Sequence, residues 1–380
     1  KGENMRSSSE KKLIILTVIV VVIIISIAAF IAYAFLSNGN NSSENNMNFQ
    51  LYNESNSKPT VNTENNIGQN TVVPVENANN EQTQTQGSST TDTNTYYYKQ
   101  LSNTAKKIYD GLKKHKDDMK TGTYVIDFGT EFNSILNGAD GEEILNQEYQ
   151  SAWNAFSYDN VDLYYLDINK VSMVMEARTE GATTTYYVKI GPGDYSSYLS
   201  STFANKKEIE DADAYIKDIR NQVMSILGPY NNAMKIKVVN EWMIDNLSYE
   251  NIEGNNNKYN LYGAIVETKV VCEGYARMFK YIMDGLNIPC ILVSGTATNS
   301  EGETELHAWN YVELNGQWYA VDVTWNDPVV IGEGELTESQ KSKYLLKGKS
   351  FLDNHKEDGM ISENSMKFIY PKLNSADYIF

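Results

Sequence analysis

Cys272, His307 and Asp322 are the residues of this chain whose types and order could do chemistry together. A thiol attacks a carbonyl once a base has taken its proton, and imidazole is the side chain whose ordinary pKa suits that task near neutrality. A carboxylate on the far side of the ring fixes its tautomer and steadies the imidazolium. The trio reads as an acyl-transfer site with Cys272 as nucleophile, His307 as base and Asp322 as orienter. Each residue alone has a plainer reading, since a lone cysteine is more often a buried inert one and a strand histidine more often structural. The combination, with its order and spacing, favours the functional reading.

Two elements must position the three. Tyr275, Met278, Phe279, Ile282, Met283 and Leu286 recur at helical spacing, and no proline intervenes before Pro289, which predicts a helix over 272–286 with Cys272 at its N-terminus. The unpaired amides there favour a thiolate over a thiol. Asn315-Gly316 is a hairpin signal between the alternating runs 306–314 and 317–325. Pairing Leu314 with Gln317 sets His307 opposite Thr324 and Trp309 opposite Asp322. His307 and Asp322 then share a face as diagonal neighbours about 7 to 8 Å apart at the backbone. The other face, with Ala308, Val312, Tyr319, Val321, Val323 and Trp325, is expected to meet the core.

With these motifs in order, the sequence resembles the transglutaminase-like cysteine acyltransferases and peptidases, in particular their bacterial cell-surface members. The matching residues are Tyr262-Gly263-Ala264-Ile265-Val266, Val271-Cys272-Glu273-Gly274-Tyr275-Ala276, Gly285-Leu286-Asn287-Ile288-Pro289, Val293-Ser294-Gly295, His307-Ala308-Trp309-Asn310, Gly316-Gln317-Trp318-Tyr319 and Asp322-Val323-Thr324-Trp325-Asn326-Asp327-Pro328. The resemblance covers about 219–328 and implies an α+β, papain-like transglutaminase-core fold, a nucleophile helix packed on an antiparallel sheet. It implies the same roles for Cys272, His307 and Asp322, with Tyr262 and Trp309 as weaker oxyanion or cleft-lining candidates. It leaves the reaction open, because relatives include cross-linkers, deamidases, peptidases and inactive binding versions. The alternative is therefore a catalytically silent surface module holding peptide or cell-wall glycopeptide.

The rest of the chain sets the context. Leu13 to Leu36 is an apolar run without a charge, long enough to span a bilayer, with Lys1, Arg6, Lys11 and Lys12 before it and no basic residue after it until Lys58. Residues 1–12 are expected in the cytoplasm, 13–36 as a single-pass signal-anchor helix in the cell membrane, and the remainder outside the cell. A cleavable signal peptide, with Ala32-Tyr33-Ala34 as its box, is the rival. Residues 37–95, rich in Asn, Ser, Thr and Gln, read as a disordered tether. From Tyr96 the composition is globular: an N-terminal α+β subdomain over 96–210, the catalytic core over 211–334, and 335–380 completing the domain.

In the subdomain a helix carries Leu101, Ala105, Ile108, Tyr109 and Leu112, another runs from Gly141 to Phe156, and strands are expected at 124–128, 161–168, 171–177 and 183–190. Further helices are expected at 208–227 and 231–246. The net charge of −17 argues against nucleic acid as a partner. Peptide or protein substrates, or a cell-wall component, are the expected partners. No cofactor is implied, and no pair of cysteines or histidines stands at metal-ligand spacing. Of the two cysteines, Cys290 is expected buried and free at the far end of the helix from Cys272. His355, between Asn354 and Lys356, is a second possible acid or base, with a structural or solvated role preferred.

Overall fold

The computed structural model describes residues 93–331, 336–362 and 364–380, together with two short strands, Ile19–Val20 and Thr60–Asn62. Apart from those fragments and 93–95, the expected membrane segment and tether lie outside the described residues. Among the described residues no helix is long and apolar enough to cross a membrane.

The chain divides into two compact units, and the division falls within one helix. The first comprises Thr95–Ile219 and Asp358–Ile369. Its helix α1 (Asn103–Lys114) starts where the Ser102 hydroxyl accepts from the Ala105 amide, and it buries Ala105, Ile108, Tyr109 and Leu112 on one stripe. Strand β1 (Ile126–Gly129), helix α2 (Gly141–Asp159), strands β2 (Ser172–Glu180) and β3 (Thr183–Gly191) and helix α3 (Lys206–Ile226) follow, with the unit boundary inside α3. The antiparallel sheet runs Ile19–Val20, β2, β3, β1. At the end of α2 the buried Asp159 carboxylate accepts from the Tyr97 amide at 3.1 Å, the Tyr98 amide at 3.0 Å and the Tyr109 hydroxyl at 3.2 Å. The strand expected at 161–168 does not form. Tyr165 donates instead to the Lys116 carbonyl, and Asp167 accepts from the Asn169 amide to start a short 3-10 turn, Ile168–Lys170.

The second unit comprises Arg220–Glu357 and Tyr370–Phe380. It contains helix α4 (Asn232–Asn246), helix α5 (Cys272–Gly285), strands β4 (Cys290–Thr298), β5 (Thr304–Leu314) and β6 (Gln317–Val321), the short helix α6 (Val323–Asn326) and strand β7 (His355–Glu357). The sheet is antiparallel in the order β6, β5, β4, β7. The expected register holds, with Leu314 opposite Gln317, and Asn315 and Gly316 take φ of 54° and 77°, the left-handed pair a two-residue turn needs. The second strand is shorter than expected, however. Val321 pairs with Asn310 and the strand stops; Asp322 becomes the N-cap of α6, so Thr324 lies in a helix and not opposite His307. The expected single core face is also corrected, since every residue from His307 to Val312 is buried, on both faces. The helix buries Tyr275, Met278, Phe279, Ile282 and Met283.

One position governs how closely the strands pack. Gly295 on β4 pairs with His307 on one side and Glu357 on the other. A Cβ there would lie 2.0 Å from the Lys356 carbonyl oxygen and 2.9 Å from the Trp309 ring. Only glycine lets β7 lie against β4 at this point.

Candidate active site

Each of the three residues sits where a chain element ends or is pinned. Cys272 is the first residue of α5; its N-cap, Val271, is extended and offers no capping side chain, so the first amides of the helix are not occupied by one. His307 lies on β5 beside the glycine of β4. Asp322 ends the hairpin and its Oδ1 accepts from the Trp325 amide at 3.1 Å, which fixes the carboxylate as a helix cap. Helix and sheet are tied together around the trio. Asn310 donates to the Ala276 carbonyl at 3.0 Å and the Ile291 carbonyl at 3.3 Å, and the Tyr275 hydroxyl donates to Asp327 Oδ2 at 2.6 Å.

His307 Nε2 stands 2.8 Å from Asp322 Oδ2. Its Nδ1 is buried without a hydrogen-bond partner. Burial pushes the imidazole toward its neutral form, but the Asp322 carboxylate, aided by Cys272, overcomes this and holds the pKa well above the ordinary value. Burial likewise opposes the Asp322 charge, and His307 and His355 overcome it, keeping this carboxyl well below the usual range. Cys272, His307 and Asp322 are all buried, where charge interactions are stronger than in water. Cys290 is free and buried, and burial pushes its thiol well up, as suits an inert core residue.

His355, expected in a structural or solvated role, is not solvated. It is buried on β7, with Nε2 3.1 Å from the same Asp322 Oδ2 and Nδ1 2.9 Å from the side-chain oxygen Oδ1 of Asn354. Phe351 stacks on its ring at 3.8 Å, while Trp325, Trp309 and Tyr344 approach at 4.6, 5.1 and 5.8 Å. Burial, with His307 close by, lowers its pKa despite the carboxylate. Its polar neighbours Asn354 and Lys356 disguise it as a surface residue, and the run His355-Lys356-Glu357 carries no apolar alternation to reveal the strand. Trp309 is carried to the group by stacking on His307 at 6.0 Å. Tyr262 is half-buried at the start of the turn Gly263–Glu267.

His307, Asp322 and His355 offer ligand atoms all within 4.8 Å of one another. The set does not fit a cation as it stands. One carboxylate oxygen faces both Nε2 atoms at hydrogen-bond distance, contacts that hold only with a proton on each Nε2, whereas a metal ligand nitrogen must be bare.

Residues 220–323 match the model of the transglutaminase-like superfamily. The chain is similar to kyphoscoliosis peptidase of Mus musculus and of Homo sapiens, at 25% identity over 157 residues in each case. That stretch covers 37% of this chain and 23% of each relative, so the chain spans less than a quarter of the curated relatives it matches. Among solved structures it is similar to a TGase, at 12% identity over 46% of this chain and 49% of that one with a TM-score of 0.29. The periplasmic domain of TgpA from Pseudomonas aeruginosa matches at 12% identity over 41% and 60%, with a TM-score of 0.23.

Proposed function

Because residues 220–323 form a transglutaminase-like domain, we propose that this chain is a thiol acyltransferase or peptidase acting on amide bonds of peptides or proteins through a thioester on Cys272. The observation that carries the reading is the buried His307, bound through Nε2 to Asp322 and left with Nδ1 unpartnered, with Cys272 among the groups acting on the ring. Asp322 fixes the Nε2–H tautomer, and Nδ1 takes the Cys272 proton. The sulfur attacks the amide carbonyl, the oxyanion is met by free amides at the start of α5, and the carbon–nitrogen bond breaks as His307 returns the proton to the leaving ammonia or amine. The thioester then passes to an amine, giving an isopeptide bond, or to water, giving deamidation or cleavage. Trp309, buried and stacked on His307, and the half-buried Tyr262 are the candidates for the oxyanion or cleft-lining task.

The test is the full chain, with Cys272→Ala beside it, incubated with glutamine-containing peptides and a labelled primary amine and read by mass spectrometry. Amine incorporation lost in the variant supports transfer to amines, and cleaved or deamidated peptide supports hydrolysis. Identical, product-free reactions would remove the enzymatic reading in favour of a binding module for peptide or cell-wall glycopeptide.

We also propose that Leu13–Leu36 anchors the protein in the cell membrane with the domain outside, at the end of a 37–95 tether. The uncharged apolar run and the basic residues before it support this. Such an anchor requires Ile19–Val20 to leave their pairing with Met175 and Glu176. Extraction of the chain from membranes by alkaline carbonate would exclude it.

A further inference from the structure

The Asp322 carboxylate is shared. Its Oδ1 accepts from the Trp325 amide, and its Oδ2 faces Nε2 of His307 at 2.8 Å and Nε2 of His355 at 3.1 Å. An ionised carboxylate can only accept hydrogen bonds, so each Nε2 bonds to it by carrying the proton; at His355 the Asn354 Oδ1, 2.9 Å from Nδ1, is a second acceptor that competes for the one proton of a neutral ring. His355 sits in a place that gives it little freedom. Its ring is stacked on Phe351 and bordered by Trp309, Trp325 and Tyr344, and its strand is held against β4 where glycine alone permits the approach. The titratable groups facing it are Asp322, His307 and Tyr344. Its ring nitrogens meet Asp322 and Asn354, so any effect on the thiol passes through Asp322 and His307.

We propose that His355 is a positioning residue: its Nε2–H, on the same Asp322 oxygen that receives His307, locks the carboxylate so that His307 Nδ1 stays aimed at the Cys272 proton. Two donors on one oxygen leave Oδ2 no rotation that keeps both, and the cap at Oδ1 removes the remaining swing. Without the His355 donor, the carboxylate keeps its cap but pivots, and the imidazole follows it. The consequence for catalysis rests on the acyl-transfer reading above. The two experiments below observe the ring and the thiol directly, so an error in the substrate class leaves them intact.

In the full wild-type chain, proton–nitrogen correlation spectra of ¹⁵N-histidine protein report which ring nitrogen of His355 is protonated, with a His355→Gln sample giving the assignment. The expected result is a protonated Nε2; a bare Nε2 overturns the proposal. The second experiment compares His355→Gln with His355→Met. The two side chains have similar length and both lack the ring, but only glutamine can donate to Asp322. The rate of Cys272 alkylation by iodoacetamide is the readout. The glutamine variant is expected within a few-fold of wild type, and the methionine variant slower by about tenfold or more, the scale of a hydrogen bond to a charged group. Equal rates in the two variants, at any level, overturn the proposal, since a merely packing role would not distinguish them.

Discussion

Each unit of this chain buries a carboxylate that gathers hydrogen-bond donors, and the donors differ in kind. Asp159 is met by two backbone amides and the Tyr109 hydroxyl; Asp322 is met by one backbone amide and two imidazoles. Backbone amides cannot surrender a proton, and burial, reinforced by Asp159, pushes the Tyr109 hydroxyl far above its ordinary value. These three donors therefore hold their protons through the working range, and the group pins the start of the unit to the end of α2. Around Asp322 two of the donors are imidazoles, side chains able to take up and release protons, so the same geometry becomes a means of handling one. What separates the structural carboxylate from the one proposed for catalysis is the chemistry of these donors, since both carboxylates are buried.

The comparison can be broken in four ways. Asp322→Asn is expected to lower acyl transfer roughly 10³- to 10⁴-fold, because the amide can present the wrong group to the ring; Asp159→Asn is expected to leave turnover unchanged. If the two variants lose activity equally, the distinction fails. Next in size, Asp159→Ala removes the acceptor from two buried amides and a phenol and is expected to destabilise the first unit by roughly 2 to 4 kcal/mol, measured by urea unfolding.

The third prediction concerns pH. His307 has a folded pKa raised above its unfolded value, so the stability it adds is fully present below about pH 6.5 and is lost as pH rises through the raised value. The stability gap between wild type and His307→Gln should therefore widen as pH falls from 9 toward 6.5, and a gap that narrows would contradict the ion pair. Smallest is Tyr109→Phe, which removes one donor from Asp159 and is expected to cost about 1 kcal/mol with the alkylation rate of Cys272 unchanged.

What could be read from the chain before its structure was mostly local. The hairpin announced itself through Asn315-Gly316, and the nucleophile helix through apolar spacing ended by Pro289, because turn chemistry and periodicity are properties of neighbouring residues. β6 ends sooner than the alternation predicts because Asp322, a residue type favoured at N-caps, accepts from the Trp325 amide and starts a helix. His355 was beyond local reading. Its burial follows from pairing with Ala297, a partner distant in sequence, and nothing in Asn354-His355-Lys356 encodes that strand's place at the sheet edge. The expected strand at 161–168 failed for a similar reason, since Tyr164 and Tyr165 found partners in Asp213 and Lys116, from elements on either side in sequence.

Gly295 has no functional group, takes no part in any proton transfer and touches no substrate in the scheme above. Yet it lies between the strand bearing His307 and the strand bearing His355, with the Lys356 carbonyl where a side chain would begin. A saturation scan scored on activity would return it among the least tolerant positions in the chain, alanine included. Selection there acts on the empty space that keeps two histidines within reach of one carboxylate, and a map of intolerant positions would mark a residue that reacts with nothing.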